Sequence, residues 1–428
     1  MSAAILMLAA LYLQYNIVVN NNMTEVDGVW VYQWKDELAT QEQLDLISSK
    51  RKPVKILNSP ASRWSAILKW KDNKYLVSKL AKLNNVRIKH VGETFINEEF
   101  SHASILARQA GLLSTATERL ENITMSEFLL NTKNRYVALP ISQVGNLQKD
   151  VGDLSSLQVG IGKPEAFIWM AHSGTKSTAH YDTAHNMNLQ VVGRKVFYFD
   201  PAEKFEELQL YPSFHISRRQ SQISNPDRLS KAIILEAGEL LYIPPYYFHA
   251  TATKEFGINV NCFVPSTLRD LEKEIMKNSH PVILDEILEK APSQYPNAVV
   301  DLLFHGVSSA FASRNQCTNE DNNASVKGYL QHITDYRMSV FELGCEDFEM
   351  ERCPEFLFGE TVLVSHITKV MESLVGSRKE CWMNGELEII LSDWVEAVLV
   401  YAVGFKQMCS FLQCLTVQLK EQDDVLIK

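Results

Sequence analysis

The first 261 residues of this 428-residue chain contain no cysteine. All seven cysteines stand at or after Cys262, in an odd number and without a paired C-x-x-C. That pattern argues against a cysteine-based zinc module and against a disulfide framework. Reduced thiols in a cytosolic or nuclear protein are expected instead. A dominant charge of one sign is also missing. The chain carries 42 Lys and Arg against 51 Asp and Glu, a net charge of −9. The molecule as a whole is therefore not built to bind polyanions. Long apolar runs are scarce. Ala3–Leu13 is apolar for eleven residues. It is short for a membrane span and lacks the basic flank of a signal peptide. The reading is a disordered or helical leader, with a secretory or anchor segment as the alternative. The sequons at Asn22, Asn122 and Asn323 bear only on that alternative. No zinc-finger or chromatin-reader pattern is visible.

What is present is ordinary globular composition, 46% hydrophobic and 22% charged. A chain of this length has room for two domains. The texture divides it into a leader over 1–25, a mixed α/β and then β-rich region over 26–270, and a helical region over 271–428. In the second region, strands are predicted at Gly28–Trp34, Lys52–Leu57, Val86–Val91 and Arg135–Leu139. Helices are predicted at Gln41–Ser49, Trp64–Trp70, Asn73–Leu83 and Thr124–Leu130. Residues 165–265 are densest in strands: Ala166–Met170, Asn188–Val192, Lys195–Phe199, Ala232–Leu235, Leu240–Ile243 and Ile258–Val264. Gly193-Arg194, Ala237-Gly238-Glu239 and Pro244-Pro245 supply turns between them. Six short strands with one polar and one apolar side suggest a double-sheet jelly roll, as in cupins. The polar insert Pro201–Ser230 is expected across its mouth. Beyond it, helical stripes run at Val282–Leu288, Ala298–Ala312, Tyr329–Leu343, Val362–Leu374 and Glu386–Leu419, with a polar loop at Asn315–Ser325. The apolar stretch Ala397–Val417 reads as a buried or dimer-forming helix rather than a membrane span.

Residues 51–90 hold eleven Lys or Arg and one acid, Asp72. A solvated basic face is the plain reading. Contact with RNA or with an acidic protein is the sharper one.

The chemistry concentrates at His180-Tyr181-Asp182 and at His249, 67 residues after Asp182. Two imidazoles and one carboxylate make a 2-His-1-carboxylate set, which leaves open positions on a non-haem Fe(II). Such a pattern alone is common. Its context is not: His180-Tyr181-Asp182, Asn186, Gly193-Arg194-Lys195, Leu210-Tyr211-Pro212, Asn225-Pro226-Asp227, Ala237 to Pro244, and Asn259-Val260-Asn261 occur in that order.

Together these motifs resemble the JmjC-type (cupin-8) 2-oxoglutarate oxygenases. The branch is that of the small JmjC hydroxylases, the asparaginyl hydroxylase and the tRNA wybutosine hydroxylase. The resemblance is strong over 165–265. It is weaker over 26–164, where Pro53, Trp64, Trp70 and Tyr75 fit the family's opening, and general over the helical C-terminus. It implies a double-stranded β-helix core with N-terminal α/β elements and a C-terminal helical domain. It implies His180, Asp182 and His249 as Fe(II) ligands, with 2-oxoglutarate and O₂ as cosubstrates. By the same resemblance Lys195 pairs with the distal carboxylate of 2-oxoglutarate, with Tyr136 and Ser177 adding hydroxyls. Asn186 and Asn261 line the pocket. His172 and His185 are left as ordinary histidines.

The resemblance further implies hydroxylation of a protein side chain, with release of succinate and CO₂. Hydroxylation of a modified tRNA base, lysine or arginine demethylation, and a catalytically silent scaffold are the alternatives. A homodimer through the C-terminal helices and a cytoplasmic or nuclear location are expected. Two positions depart from the family: Phe263 stands where close relatives carry Trp, and Asn188 replaces a usual aromatic.

Overall fold

The computed structural model describes residues 23–89, 94–95, 119–130, 134–223, 225–277, 282–318, 326–337 and 384–405, with isolated positions between and beyond. Two compact units emerge. One comprises residues 1–96, 117–201 and 223–267; the other comprises 97–116, 202–222 and 268–428.

The first unit opens with β1 (Met23–Val26), β2 (Val29–Gln33), α1 (Thr40–Ser49) and β3 (Val54–Leu57). Two short helices, α2 (Ser65–Lys69) and α3 (Asn73–Lys79), precede β4 (Lys82–Lys89) and β5 (Thr94–Phe95). Then come β6 (Arg119–Thr124), α4 (Met125–Leu130) and β7 (Asn134–Pro140). The remaining strands are β8 (Glu165–Ala171), β9 (Lys176–Ser177), β10 (Ala184–Val192), β11 (Lys195–Asp200), β12 (Lys231–Leu235), β13 (Leu240–Ile243), β14 (Phe248–Thr253) and β15 (Gly257–Pro265).

They form two sheets. The larger runs β1-β2-β3-β13-β10-β15-β8-β7-β4-β6, the smaller β12-β11-β14-β9-β5. Successive side chains of a strand face opposite ways, so each sheet has two distinct faces. On the large sheet, Met187, Leu189 and Val191 of β10 and Ile258, Val260, Cys262 and Val264 of β15 join one core with Tyr32, Leu44, Trp70 and Phe128. Burying each such side chain contributes roughly 1.5–3 kcal/mol. A second core of Phe197, Phe199, Leu235, Leu241, Ile243 and Tyr247 closes part of the jelly-roll interior.

The N-terminal layer is pinned at Asp150. Its carboxylate accepts from Ser65 Oγ at 3.0 Å, Lys69 Nζ at 2.7 Å, Trp70 Nε1 at 3.1 Å and Tyr75 Oη at 2.7 Å. Burial alone would raise the Asp150 pKa; these donors outweigh it and hold it below its ordinary value. The expected capped helix at Thr124 is present as a capping box. Glu127 Oε2 accepts the Thr124 N–H at 2.7 Å, and Thr124 Oγ1 accepts the Glu127 N–H at 3.1 Å.

The second unit contains α5 (Phe205–Leu208), most of α6 (Thr267–Met276), α7 (Val282–Lys290), α8 (Tyr295–Thr318), α9 (Val326–His332) and α10 (Asn384–Ala402). Residues 202–222, expected across the mouth of the jelly roll, cluster with this helical unit. A π-helical turn at Ile333–Arg337 delivers Arg337 to Asp393 at 2.6 Å and to Glu396. Glu396 Oε2 in turn accepts the Ser213 N–H at 2.6 Å. Cys414 is disulfide-bonded, which departs from the expectation of reduced thiols throughout.

Other differences are local. The first strand begins at Met23, within the stretch read as a leader. Helix α8 continues to Thr318, past the expected start of a loop at Asn315. The last predicted helix is interrupted after Ala402, where Gly404 takes φ +78°, and described positions between Phe405 and Val417 are helical again. No helix among the described residues is long and apolar enough to cross a membrane. The helix expected at Val362–Leu374 lies outside the described residues.

Gly193 makes the turn that aims β11 back across the interior. It has φ +71°, and a Cβ there would lie 2.2 Å from the Phe256 carbonyl oxygen. Gly193→Ala is expected to destabilise the protein by roughly 2 kcal/mol or more, from φ strain plus the clash. A urea titration followed by tryptophan fluorescence checks this.

Candidate active site

The site begins with a backbone contact. His180 and His249 form an isolated β-bridge in which each N–H donates to the other's carbonyl, at 2.9 and 2.8 Å. The ring centroids stand 4.2 Å apart. One ligand atom from each of His180, Asp182 and His249 lies within 4.8 Å of the others. His180 Nδ1 meets the Thr178 carbonyl at 2.9 Å, and His249 Nδ1 meets the Tyr247 carbonyl at 3.2 Å. A carbonyl can only accept. Each Nδ1 is therefore the protonated nitrogen, which leaves each Nε2 lone pair free for a cation. Burial, helped by the neighbouring His180, pushes the His249 pKa down to about 4. Near neutral pH this imidazole is uncharged, the form that ligates a metal.

Asp182 is held at both ends. Its carbonyl accepts the Tyr246 N–H at 2.8 Å, and its Oδ2 accepts Asn186 Nδ2 at 3.0 Å. Tyr246 takes φ +60° and stacks on Tyr181, with centroids 5.2 Å apart. The turn after Pro244-Pro245 is thereby clamped to the His180–Asp182 segment.

The interior faces supply the rest. Asn259 and Asn261 of β15 alternate with the core residues of that strand. They pair in register with Gln190 and Asn188 of β10. Asn261 Nδ2 donates to Asn186 Oδ1 at 3.3 Å. Lys195, first in β11, is only 4% exposed, and its Nζ reaches from the small sheet to Asn259 Oδ1 at 2.5 Å. Among the described residues it has no carboxylate partner. Burial lowers its pKa to about 7. Ser177 Oγ accepts the Thr251 N–H at 2.9 Å and lies 3.1 Å from Thr251 Oγ1, two residues along β14 from His249. Tyr136 stacks on Trp169, with centroids 5.5 Å apart, and Trp169 Nε1 donates to Asn261 at 2.7 Å.

The structure therefore joins His180, Asp182, His249, Asn186 and Asn261 in one cluster. Lys195, Ser177 and Tyr136 stand on strands bordering it. His172 and His185 stay outside: His172 Nε2 meets the Phe128 carbonyl at 2.8 Å and His185 Nδ1 meets Tyr242 Oη at 2.9 Å. Sequence reasoning placed Asn259 in a motif without giving it a role, and missed Thr251 and Trp169. The available signal for Trp169 was alternation: Ala166, Ile168 and Met170 form the apolar face of β8, which leaves Phe167 and Trp169 facing the interior.

The donor set suits Fe(II), since two imidazoles and a carboxylate converge, and three protein ligands leave coordination positions for exogenous oxygen ligands. It also suits a 2-oxo dicarboxylate. Lys195 is a buried amine with no carboxylate partner among the described residues, the group that an anionic carboxylate would meet.

This is a jelly roll with a 2-His-1-carboxylate cluster, and comparison with known proteins agrees. The cupin-like domain family matches residues 39–266, so the chain belongs to that family. It is 27% identical over 221 residues to Lysine-specific demethylase JMJ30 of Arabidopsis thaliana, across 49% of this chain and 49% of that protein. It is 32% identical over 151 residues to tRNA wybutosine-synthesizing protein 5 of Danio rerio, across 30% of this chain and 43% of that one. The mouse protein of the same name matches at 25% over 298 residues, across 59% and 85%. The chain thus spans about half the length of the first two relatives.

Lys195 sets up a measurable trade. Its folded pKa of about 7 lies below the ordinary value of 10.5. The unfolded chain therefore binds more protons between those values, and this group's contribution to stability rises with pH across that window. Lys195→Met removes the penalty. The variant is expected to melt above wild type at pH 7, with the gap narrowing toward pH 10, while losing 2-oxoglutarate binding. Differential scanning calorimetry at the two pH values, with equilibrium dialysis of labelled 2-oxoglutarate, checks both halves.

Proposed function

We propose that the chain is an Fe(II)- and 2-oxoglutarate-dependent dioxygenase that hydroxylates a protein side chain. The observation that carries this reading is the convergence of His180, Asp182 and His249 beside a buried, carboxylate-free Lys195. His180 Nε2, His249 Nε2 and the Asp182 carboxylate hold the iron. Lys195 takes the distal carboxylate of 2-oxoglutarate through a charge-assisted bond in a dry site, where such bonds are strong and orienting. Ser177 and Tyr136 offer hydroxyls to the same cosubstrate, and Asn186 and Asn261 border it. Bound iron, with 2-oxoglutarate and O₂, supplies the oxidation that installs a hydroxyl on a substrate C–H and releases succinate and CO₂. The protein's own part is binding, orientation and exclusion of water. On an N-methyl carbon the same hydroxylation ends in demethylation, so one ligand set serves both outcomes.

A second reading, hydroxylation of a tRNA base, draws on the similarity to the wybutosine-synthesizing proteins and on the basic stretch 51–90. Part of that stretch is committed within the fold. Lys55 pairs with Glu239 at 2.7 Å, Arg63 with Asp36 at 2.6 Å and Lys69 with Asp150 at 2.7 Å. Lys52, Lys71, Lys74, Lys79 and Lys82 remain exposed. If they grip RNA, log affinity falls with log salt at about −0.7 to −0.9 per phosphate contact. The protein-substrate reading expects weak tRNA binding, lost at moderate salt without discrimination among sequences. A filter-binding series across salt concentrations separates the two.

The primary test is succinate release by purified protein given Fe(II), ascorbate and 2-oxoglutarate. Wild type is expected to turn over slowly without its prime substrate, and His180→Ala to fall to the no-enzyme background. A wild-type protein that neither releases succinate nor binds 2-oxoglutarate in the presence of the metal would sink the proposal and favour a silent scaffold.

A further inference from the structure

Three hydrogen bonds lead from a half-buried indole to the Asp182 carboxylate. Trp169 Nε1 donates to Asn261 Oδ1 at 2.7 Å. Asn261 Nδ2 donates to Asn186 Oδ1 at 3.3 Å. Asn186 Nδ2 donates to Asp182 Oδ2 at 3.0 Å. Asn261 and Asn186 are 1% and 3% exposed, so bulk water does not compete for either amide. Four residues from three strands and the turn before β10 thus form a single file that ends on the acidic member of the cluster.

The direction of this file is forced by chemistry. An amide can present either its oxygen or its NH₂ group to a neighbour, but an indole N–H can only donate. Trp169 therefore selects the carbonyl end of Asn261 and turns the Asn261 NH₂ toward Asn186. Asn186 must answer with its own oxygen, which leaves its NH₂ for Asp182. Reversal would set the Asn186 oxygen against a carboxylate oxygen, losing one hydrogen bond and opposing two acceptors. The indole plane is itself held, stacked on Tyr136 at 5.5 Å with an interplanar angle of 30° and flanked by Phe167 at 6.4 Å. Register supports the geometry as well. Trp169 and Phe167 on β8 pair with Asn259 and Asn261 on β15, and Asn186 on β10 pairs with Phe263 two residues along.

We propose that Trp169 is a positioning residue for the metal site, fixing the orientation of the Asp182 carboxylate through Asn261 and Asn186. The proposal rests on the reading of His180, Asp182 and His249 as metal ligands. A carboxylate with one oxygen already bound to an N–H has a defined rotation, so an arriving cation meets a pre-aligned ligand. Trp169 touches no ligand atom; its effect passes entirely through the two amides.

The test is direct binding of Co(II) to the full chain, followed by titration and by the d–d absorption of the bound ion. Trp169→Phe keeps an aromatic ring at this position and removes the donor together with the indole's second ring. It is expected to weaken Co(II) binding about 10-fold, the usual scale for partners behind a metal ligand, and to shift the d–d bands. Asn186→Ala is expected to weaken binding at least as much. The double variant Trp169→Phe/Asn186→Ala should bind no more weakly than Asn186→Ala alone, because both act through one bond. Wild-type affinity and spectrum in Trp169→Phe, or losses that simply add in the double variant, overturn the relay. Should Trp169→Phe fail to fold by circular dichroism, Asn261→Asp takes its place. That variant still accepts from the indole but offers Asn186 no N–H, so the same loss is expected, and unchanged Co(II) affinity overturns the proposal. His180→Ala serves as the separate control. If wild type takes up no Co(II), or His180→Ala binds it equally well, the metal site itself fails and the relay falls with it.

Discussion

Two backbone hydrogen bonds between His180 and His249 are the constraint on which the site depends. These residues lie 69 positions apart in the chain (249 − 180), yet each donates its N–H to the other's carbonyl, at 2.9 and 2.8 Å. A residue pair locked this way has its Cβ vectors set before any cation arrives. Placing two imidazoles 4.2 Å apart has an electrostatic cost if both are charged. Burial removes that cost by keeping His249 neutral down to about pH 4. Asp182 is drawn into the same frame by the Tyr246 N–H, at 2.8 Å, from the turn that leads into β14. The geometry of the three-residue cluster is thus a property of main-chain pairing, and the side chains inherit it.

That frame stands on a sheet with two incompatible faces. One face of β10 and β15 carries Met187, Leu189, Val191, Ile258 and Val260, packed against the N-terminal layer. The other carries Asn186, Asn188, Gln190, Asn259 and Asn261, almost without solvent exposure. The polar face is costly. Each buried polar atom lacking a partner, such as Asn188 Oδ1 or Gln190 Oε1, costs about 1–3 kcal/mol, and Lys195 is desolvated besides. The apolar face offsets this, because each large side chain in its core contributes roughly 1.5–3 kcal/mol. The helices and strands ahead of the jelly roll, pinned through Asp150, therefore have an energetic role. They supply the stability that a polar interior consumes.

Legibility in the sequence followed the same division. Leu240–Ile243 was found to the residue, and β8, β11, β12 and β15 to within one residue at either end, because short apolar runs bounded by turn residues mark them. Strand β10 was read only from Asn188. Its first half, Ala184–Met187, mixes His and Asn into the pattern and dilutes the period. Strand β14 was missed. Its inward residues are His249, Thr251 and Thr253, and its outward ones include Ala250 and Ala252, too small to give a hydrophobic signal. The His-x-Asp…His pattern was legible because its spacing sits among ordered family motifs. The roles of Asn259 and Trp169 were not. They depend on partners 64 residues away at Lys195 and 92 residues away at Asn261, and no local pattern encodes a contact across strands.

The two departures from the family fall on the face that the metal cluster shares. Phe263 is half-buried and packs edge-on against Phe167 at 6.0 Å, next to Asn186 across the β10–β15 ladder. Asn188 sits one alternation deeper, with its amide oxygen buried and unpartnered. An aromatic ring at that position would fill space and ask for nothing. An amide oxygen there is an acceptor in a dry pocket. It penalises any bound molecule that meets it with an apolar group or a second acceptor, and favours one that donates to it. Ligand set and selectivity are therefore encoded separately. His180, Asp182 and His249 are placed by backbone pairing. Asn188 and Phe263 project from the same strands without touching that pairing. A change at either position alters the polarity and shape of the face beside the cluster while the His180–His249 pairing stays as it is.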